Sequence, residues 1–388
     1  MNYLFPYYYR NFRCAGGACP LTCCGGWEIS IDPASLRKYR RVRGPLGTRL
    51  QNEIDWKRGC FRQYQGTCAF LNEEKLCDLY SDGGGETAFC RACRIFPRHM
   101  EEFRGLRELS LSLSCPVAAG LILSPEPVQF CRRHTAARER LFFSFDRPFF
   151  ERLFRARAQM IRLLQNREQP LRFRFSAVLT LARSLQKRLD KRAFSQADRL
   201  ICRCASSCLR QKAAEMSHKQ DSSRQFQNLV ISARQLFSML ERLEPVQAQW
   251  PSLLKETRQA LKSCTPKEAA LFRGQLPDHI LEQLMIYFLF TYFCGAVYDG
   301  DAEAKVRTAF GCTVMICVLS LGVWLCSRSR AGINRAAENS PEEILLLTAC
   351  RFSREAEHSD RNLLQIEAAL KDNKEFNADW YRSMLSLI

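Results

Sequence analysis

The chain has 388 residues, with 58 Lys and Arg against 40 Asp and Glu, a formal charge of +18 and 20 cysteines. That length allows two domains and a sizeable core, and the charge points to an acidic partner surface, nucleic acid or an anionic ligand, or simply to a soluble face. The opening MNYLFPYYYRNFRC places aromatics and a proline where a signal peptide carries basic and then apolar residues, which argues against export and so against a disulfide framework.

In a reducing, cytoplasmic setting, crowded thiols point to metal or redox chemistry. The stretch from Cys14 to Pro33 holds Cys14, Cys19, Cys23 and Cys24. A bridge between the adjacent pair would close a strained ring. The run WEISID alternates Trp27, Ile29 and Ile31 with polar residues, the period of a half-buried strand. Asp32 before Pro33 predicts a helix from the proline to about Arg43. SDGGGE at 81–86 reads as a turn or loop, with no strand ahead of it to make a nucleotide-binding motif.

Cysteines continue at 60, 68, 77, 90, 93, 115 and 131. The Cys90–Cys93 spacing lets two thiolates turn toward one centre, and thiolate donors select zinc, copper(I) or iron–sulfur clusters. Spacing leaves that choice open. The radical adenosylmethionine signature is absent: Cys19 and Cys23 fit, and Gly26 stands at the third position.

Two prolines in LILSPEPVQF (121–130) mark a division. Residues 1–131 form a predicted cysteine-rich metal-binding module with short strands. Residues 132–388 form a predicted all-α domain, so the fold class is mainly α. Arginines interleave with Phe142, Phe143, Phe145, Phe149, Phe150 and Phe154 between Arg138 and Arg167; this fits a buried helix face as well as a stacking surface, and nucleic acid is disfavoured.

Two apolar runs, 284–298 and 312–326, are each short of the roughly 20 residues a membrane helix needs and read as core helices. Cys202, Cys294, Cys312, Cys317, Cys326 and Cys350 are expected as small buried hydrophobes. Ser340, Pro341 and Glu343 make a capping box that opens a helix. That helix carries SREAEH (353–358), where Arg354, Glu355 and His358 are spaced to share a helix face, with Ser359 capping the next helix. Glu355 and His358 are the catalytic candidates and Arg354 the cofactor-binding candidate; a solvated ion-pair face is the competing reading. His99, His134, His218 and His279 are isolated in sequence.

In order, FRCAGGACPLTCCGGWEISID, CAFLNEEKLCDLY, FCRACRIFPR, LSLSCP, LEQLMIYFLFTYF and CRFSREAEHSDRNL resemble segments of the flagellin lysine-N-methylase (FliB-like) family. Part of the cysteine pattern is also similar to YkgJ-like zinc- or iron-chelating domains. The resemblance covers most of the chain. It implies a methyltransferase acting on flagellin lysines, with a 4Fe-4S cluster held by N-terminal cysteines and S-adenosylmethionine as donor; zinc is the alternative metal. The cysteines matched are Cys14, Cys19, Cys23, Cys24, Cys68, Cys77, Cys90, Cys93 and Cys115, while Cys60 and Cys131 lie outside the matched segments. Two non-enzymatic readings compete: a metal-storage or delivery protein using the same thiols, and an iron–sulfur protein that binds nucleic acid.

Overall fold

The computed structural model describes residues 1–136, 145–203, 222–331 and 340–387. A four-stranded sheet gathers Asn2–Pro6, Arg98–Phe103, Leu106–Leu111 and Phe130–His134. Its spatial order is Arg98–Phe103, Leu106–Leu111, Asn2–Pro6, Phe130–His134. Asn2 stands opposite Leu106 in a parallel pair and opposite His134 in an antiparallel one. Gly105, at φ +78°, makes the tight turn between the hairpin strands, where a side chain would be strained.

The segment from Cys14 to Pro97 leaves this sheet after its first strand and returns at its second. Its own core is small: Ile29, Ile31, Tyr39, Leu50, Ile54, Phe61, Phe70 and Leu79 with Cys68 and Cys90. The flanking parts behave differently. Tyr8, Phe12, Phe103, Leu111, Leu113, Ala118 and Ile122 bury themselves in the same core as the helices downstream. The expected division at residue 131 therefore falls inside the strand Phe130–His134.

Within the small module the expected WEISID strand is reduced. Ile29 and Ile31 are buried and Ser30 exposed, as alternation requires, but pairing amounts to a bridge from Ser30 to Cys60. The partner strand Cys60–Phe61 is only two residues long and already pairs with Ile54–Asp55. The predicted helix stops earlier than expected, at Pro33–Tyr39, with Asp32 accepting from the Ser35 N–H. The 81–86 turn stands, with Gly84 and Gly85 at φ +84° and +83°.

Downstream the chain is helical. The helix Ala302–Ala331 packs against Leu171–Leu189, Trp250–Lys262, Asp278–Tyr292, Pro341–Ala356 and Asp360–Asp372. Its middle, residues 308–322, carries no charged residue and is buried on all sides. At Gly322 a Cβ would sit 2.8 Å from Thr257 Cβ, so the missing side chain lets those helices touch.

Two helical stretches, Asp278–Asp299 and Ala302–Ser329, are long and apolar enough to cross a membrane, longer than the apolar runs alone indicated. Their most apolar windows are 83% and 89% buried inside the protein, which makes them core helices here.

Phe149 and Phe150 are buried on the helix Arg147–Leu164 and Phe145 and Phe154 pack beside them, so these rings belong to the core rather than to a stacking surface. Phe142, Phe143 and His218 lie outside the described residues. On the same helix Arg157 is 2% exposed and forms a buried pair with Glu108 of the sheet, while also donating to the Phe290 carbonyl at 2.9 Å. This pair ties sheet to helices. Cys294, Cys312, Cys317 and Cys350 are buried as expected. Cys202 and Cys326 are not: Cys326 is half-buried, and Cys202 is exposed at the end of Phe194–Cys202, with Arg155 3.6 Å from its sulfur.

Candidate metal centre and the helix that meets it

Loops and helix starts present the thiols. Gly16, at φ +55°, turns the chain after Cys14, and its N–H lies 3.4 Å from the Cys14 sulfur. The Cys19 thiol reaches the Leu21 carbonyl at 3.3 Å. The Cys24 carbonyl accepts from Cys68 N–H at 2.7 Å, which lays the Cys23–Cys24 turn on the strand Thr67–Cys68. Cys77, Cys90 and Cys115 are the N-cap residues of Asp78–Ser81, Arg91–Ile95 and Pro116–Ile122. Burial pushes the Cys77 and Cys115 thiols up, and backbone N–H groups at those starts offset part of that rise by favouring the thiolate.

The thiols fall into two overlapping groups. Cys24, Cys68, Cys77, Cys90 and Cys93 influence one another inside the module, while Cys14, Cys19 and Cys115 form an outer group; Cys23 belongs to both. Cys90 and Cys93 lie side by side. The Cys93 thiol and nearby backbone N–H groups draw Cys90 down to about 7, and the same contact raises Cys93. Contact with Cys24 followed by burial raises Cys23, and burial lifts Cys68 to about 11.

Among the described residues no three His, Cys, Asp or Glu side chains stand together at metal-ligating distance. The donor set nonetheless suits a soft or borderline metal. Two pre-paired thiol couples lie in one module, and a bound cation would displace their protons. Cys60 stands apart beside Glu28 and Arg58, and Cys131 lies on the strand opposite Phe5.

The helix Pro341–Ala356 carries the other half of the site, and Ser340 and Glu343 form the expected capping box at its start. Arg354, 2% exposed, crosses to the module: Nε donates to the Ser114 carbonyl at 3.0 Å and a terminal nitrogen donates to the Leu21 carbonyl at 2.8 Å. Those carbonyls adjoin Cys115 and the Cys19–Cys23 loop, so one guanidinium clamps both arms of the outer thiol group. It also lies 4.4 Å over the Trp27 ring, a cation–π contact in a largely desolvated setting.

His358 stacks on Trp27 at 4.5 Å, yet remains exposed at the outer edge. Cover by the rings and then the Arg354 charge push its pKa down to about 4.

The expected shared helix face is broken. The helix ends at Ala356 with Glu357 as C-cap, because Ser359 already caps the next helix. Arg354 and His358 still converge on Trp27. Glu355 turns the other way, fully buried, and accepts from Val246 N–H at 2.6 Å and from Gln247 backbone N–H and side chain at 3.0 Å. Its carboxylate anchors a loop of the helical body.

Glu357, which spacing in the sequence does not single out, is the carboxylate held by tyrosine hydroxyls. Its Oε2 accepts from Tyr287 at 2.7 Å and Tyr292 at 2.6 Å, and the Ser353 hydroxyl lies beside the same carboxylate. Burial raises its pKa, and surrounding hydroxyls oppose this in part. The Leu113 N–H donates to Tyr287 at 3.4 Å, so this network ends two residues before Cys115. Tyr287 and Tyr292 lie in the run 284–298, and only the fold shows that they meet residue 357.

A family model described as FliB lysine N-methylase C-terminal domain matches residues 157–385, more than half of the chain. The flagellar biosynthetic protein FliU of Salmonella muenchen is 28% identical over 157 residues, 38% of this chain and 90% of that protein. Lysine-N-methylases of Salmonella choleraesuis and Salmonella typhimurium are each 30% identical over 128 residues, 31% of this chain. The alignment spans about a third, 32%, of the length of those two methylases. No solved structure matches. The match over residues 157–385 places the chain in the FliB lysine N-methylase family.

Proposed function

We propose that the chain methylates lysine side chains of a protein substrate, flagellin, in the cytoplasm, with S-adenosylmethionine as methyl donor. The N-terminal cysteines hold a metal centre, a 4Fe-4S cluster in this reading and zinc in the alternative. One observation carries the proposal: the cysteine module is clamped through Arg354 and Trp27 onto a helix inside the segment that the methylase family model covers. A storage protein needs thiols; it does not need them joined to this domain.

Methyl transfer to lysine needs a neutral amine, a fixed approach and a water-excluding site. The helical body offers buried hydroxyl–carboxylate groups for the first requirement and an apolar frame for the last. The bound metal would supply electrostatic or redox chemistry beside the outer thiols. The test is mass spectrometry of flagellin co-expressed with the metal-loaded chain. Added methyl groups on lysine are expected, and unmodified flagellin would favour metal storage.

A further inference from the structure

A pocket of about 170 Å³ opens where the hairpin strand Arg98–Phe103 meets the helices Asp278–Tyr292, Ala302–Ala331 and Asp360–Asp372. This is below the roughly 300–1,000 Å³ that encloses drug-sized ligands, so it suits a single side chain rather than a nucleoside cofactor. Phe103, Phe288, Tyr292 and Tyr298 supply aromatic walls. Phe103 and Tyr298 stack at 6.3 Å, and Phe288 and Tyr292 at 6.4 Å. Tyr298 and Leu364, 61% and 64% exposed, project at the mouth, where a polypeptide would lie.

The polar groups select the ligand class. Thr291 is 9% exposed and lines the pocket, and its buried hydroxyl has no hydrogen-bond partner among the described residues. Two carboxylates, Glu101 and Glu367, also line it. Glu367 is matched to Lys305 at 2.7 Å, and Lys305 to Asp299 at 2.6 Å. Among the described residues Glu101 pairs with His99, at 3.0 Å, and keeps 43% of its side chain open. Lys305 also lines the pocket, so its two carboxylates face one Lys; on a chain of charge +18, the more open Glu101 among π faces favours an alkylammonium.

Resting on the methylase reading above, we propose that this pocket receives the substrate lysine side chain, its ammonium facing Glu101 and the Thr291 hydroxyl, with Tyr292 and Glu357 as the proton acceptor pair. The ammonium gives one proton to the Tyr292 oxygen while Tyr292 passes its own to Glu357, 2.6 Å away, leaving a neutral amine and a neutral carboxyl group. The amine lone pair is then free to form the N–C bond to the methyl of a sulfonium donor, whose C–S electron pair stays on sulfur.

The test uses the full-length, metal-loaded chain, with saturation-transfer NMR on Nα-acetyl-lysine amide run beside the flagellin methylation assay. Wild type should transfer saturation to the ε-methylene. Glu101→Gln and Thr291→Val should weaken binding, the former by about tenfold (about 1.4 kcal/mol). Tyr292→Phe should keep binding, lower the methylation rate near neutral pH, and move the pH–rate profile upward, because the amine must then arrive already neutral. Unchanged binding in both Glu101→Gln and Thr291→Val would overturn the pocket, even with wild-type methylation intact. Wild type that binds the amide in a Glu101-dependent way but methylates nothing would sustain the pocket and sink the methylase reading.

Discussion

The cysteine module and the helical body solve the same stability problem by different means. The body buries whole helices: Ala302–Ala331 alone places Phe310, Met315, Ile316 and Leu319 at 1% exposure or less. The module between Cys14 and Pro97 has two-residue strands, helices of ten residues or fewer and a small cluster around Phe61 and Phe70. Segments of that size seldom reach stability by apolar burial alone and recruit a metal or covalent staple. The chain puts its packing in one region and its thiols in another, and joins them through a few buried polar contacts.

The largest expected effect breaks the module alone. Replacing Cys23 and Cys24 together with Ser should abolish metal binding and expose the segment 14–97 to protease, while the helical far-UV signal persists. Cys350→Ser, within the body, should leave metal content intact. It should lower stability by about 1–3 kcal/mol, the cost of burying an unsatisfied hydroxyl. Concerted loss of helical structure in the Cys23/Cys24 variant would contradict the division between the regions.

Next is the tie between sheet and helices. Glu108→Gln leaves the Arg157 guanidinium buried without its counter-charge, and breaking such a pair by one partner costs about 3–5 kcal/mol. Thermal denaturation should show a large drop in midpoint with metal content per folded chain unchanged. Glu355→Ala should cost less, about 1–3 kcal/mol, by stripping the acceptor from the Val246 and Gln247 N–H groups. Its methylation defect should scale with the unfolded fraction, whereas a rate loss in fully folded protein would return Glu355 to the chemistry.

The smallest effect is a pH dependence at the seam. His358 titrates near 6.5 when free and is pushed down to about 4 in the fold. The unfolded chain therefore binds the extra proton first. The contribution is fully present above about 6.5 and is lost as pH falls toward 4. Denaturant unfolding of wild type and His358→Asn should diverge at neutral pH and converge toward pH 4. The difference will be modest because the ring is partly solvated.

Local signals in the sequence were readable. Ser340 with Glu343, Ser359 ahead of Asp360, and Asp32 with Pro33 all cap helices, since each rule operates within one turn of chain. The two apolar runs are core because helices apolar all round bury themselves. The four-stranded sheet was not legible: its parallel pair joins Asn2 to Leu106, and FCRRH at 130–134 has no apolar alternation to reveal a strand.

At the site, the spacing in SREAEH pointed to Arg354 and His358, which do meet the module at Trp27. Spacing could not tell Glu355 from Glu357. The two carboxylates differ only in partners more than sixty residues away, backbone N–H groups for one and tyrosine hydroxyls for the other.

The central claim is that the thiol-held metal and the family's helical domain act as one methylase. The most direct measurement purifies the chain anaerobically and follows metal content and flagellin lysine methylation together, in wild type and in the Cys23→Ser/Cys24→Ser variant. Wild type should carry about four iron and four acid-labile sulfide per chain and methylate lysine, and the variant should lose both. Methylation at the wild-type rate by the metal-free variant would contradict the account.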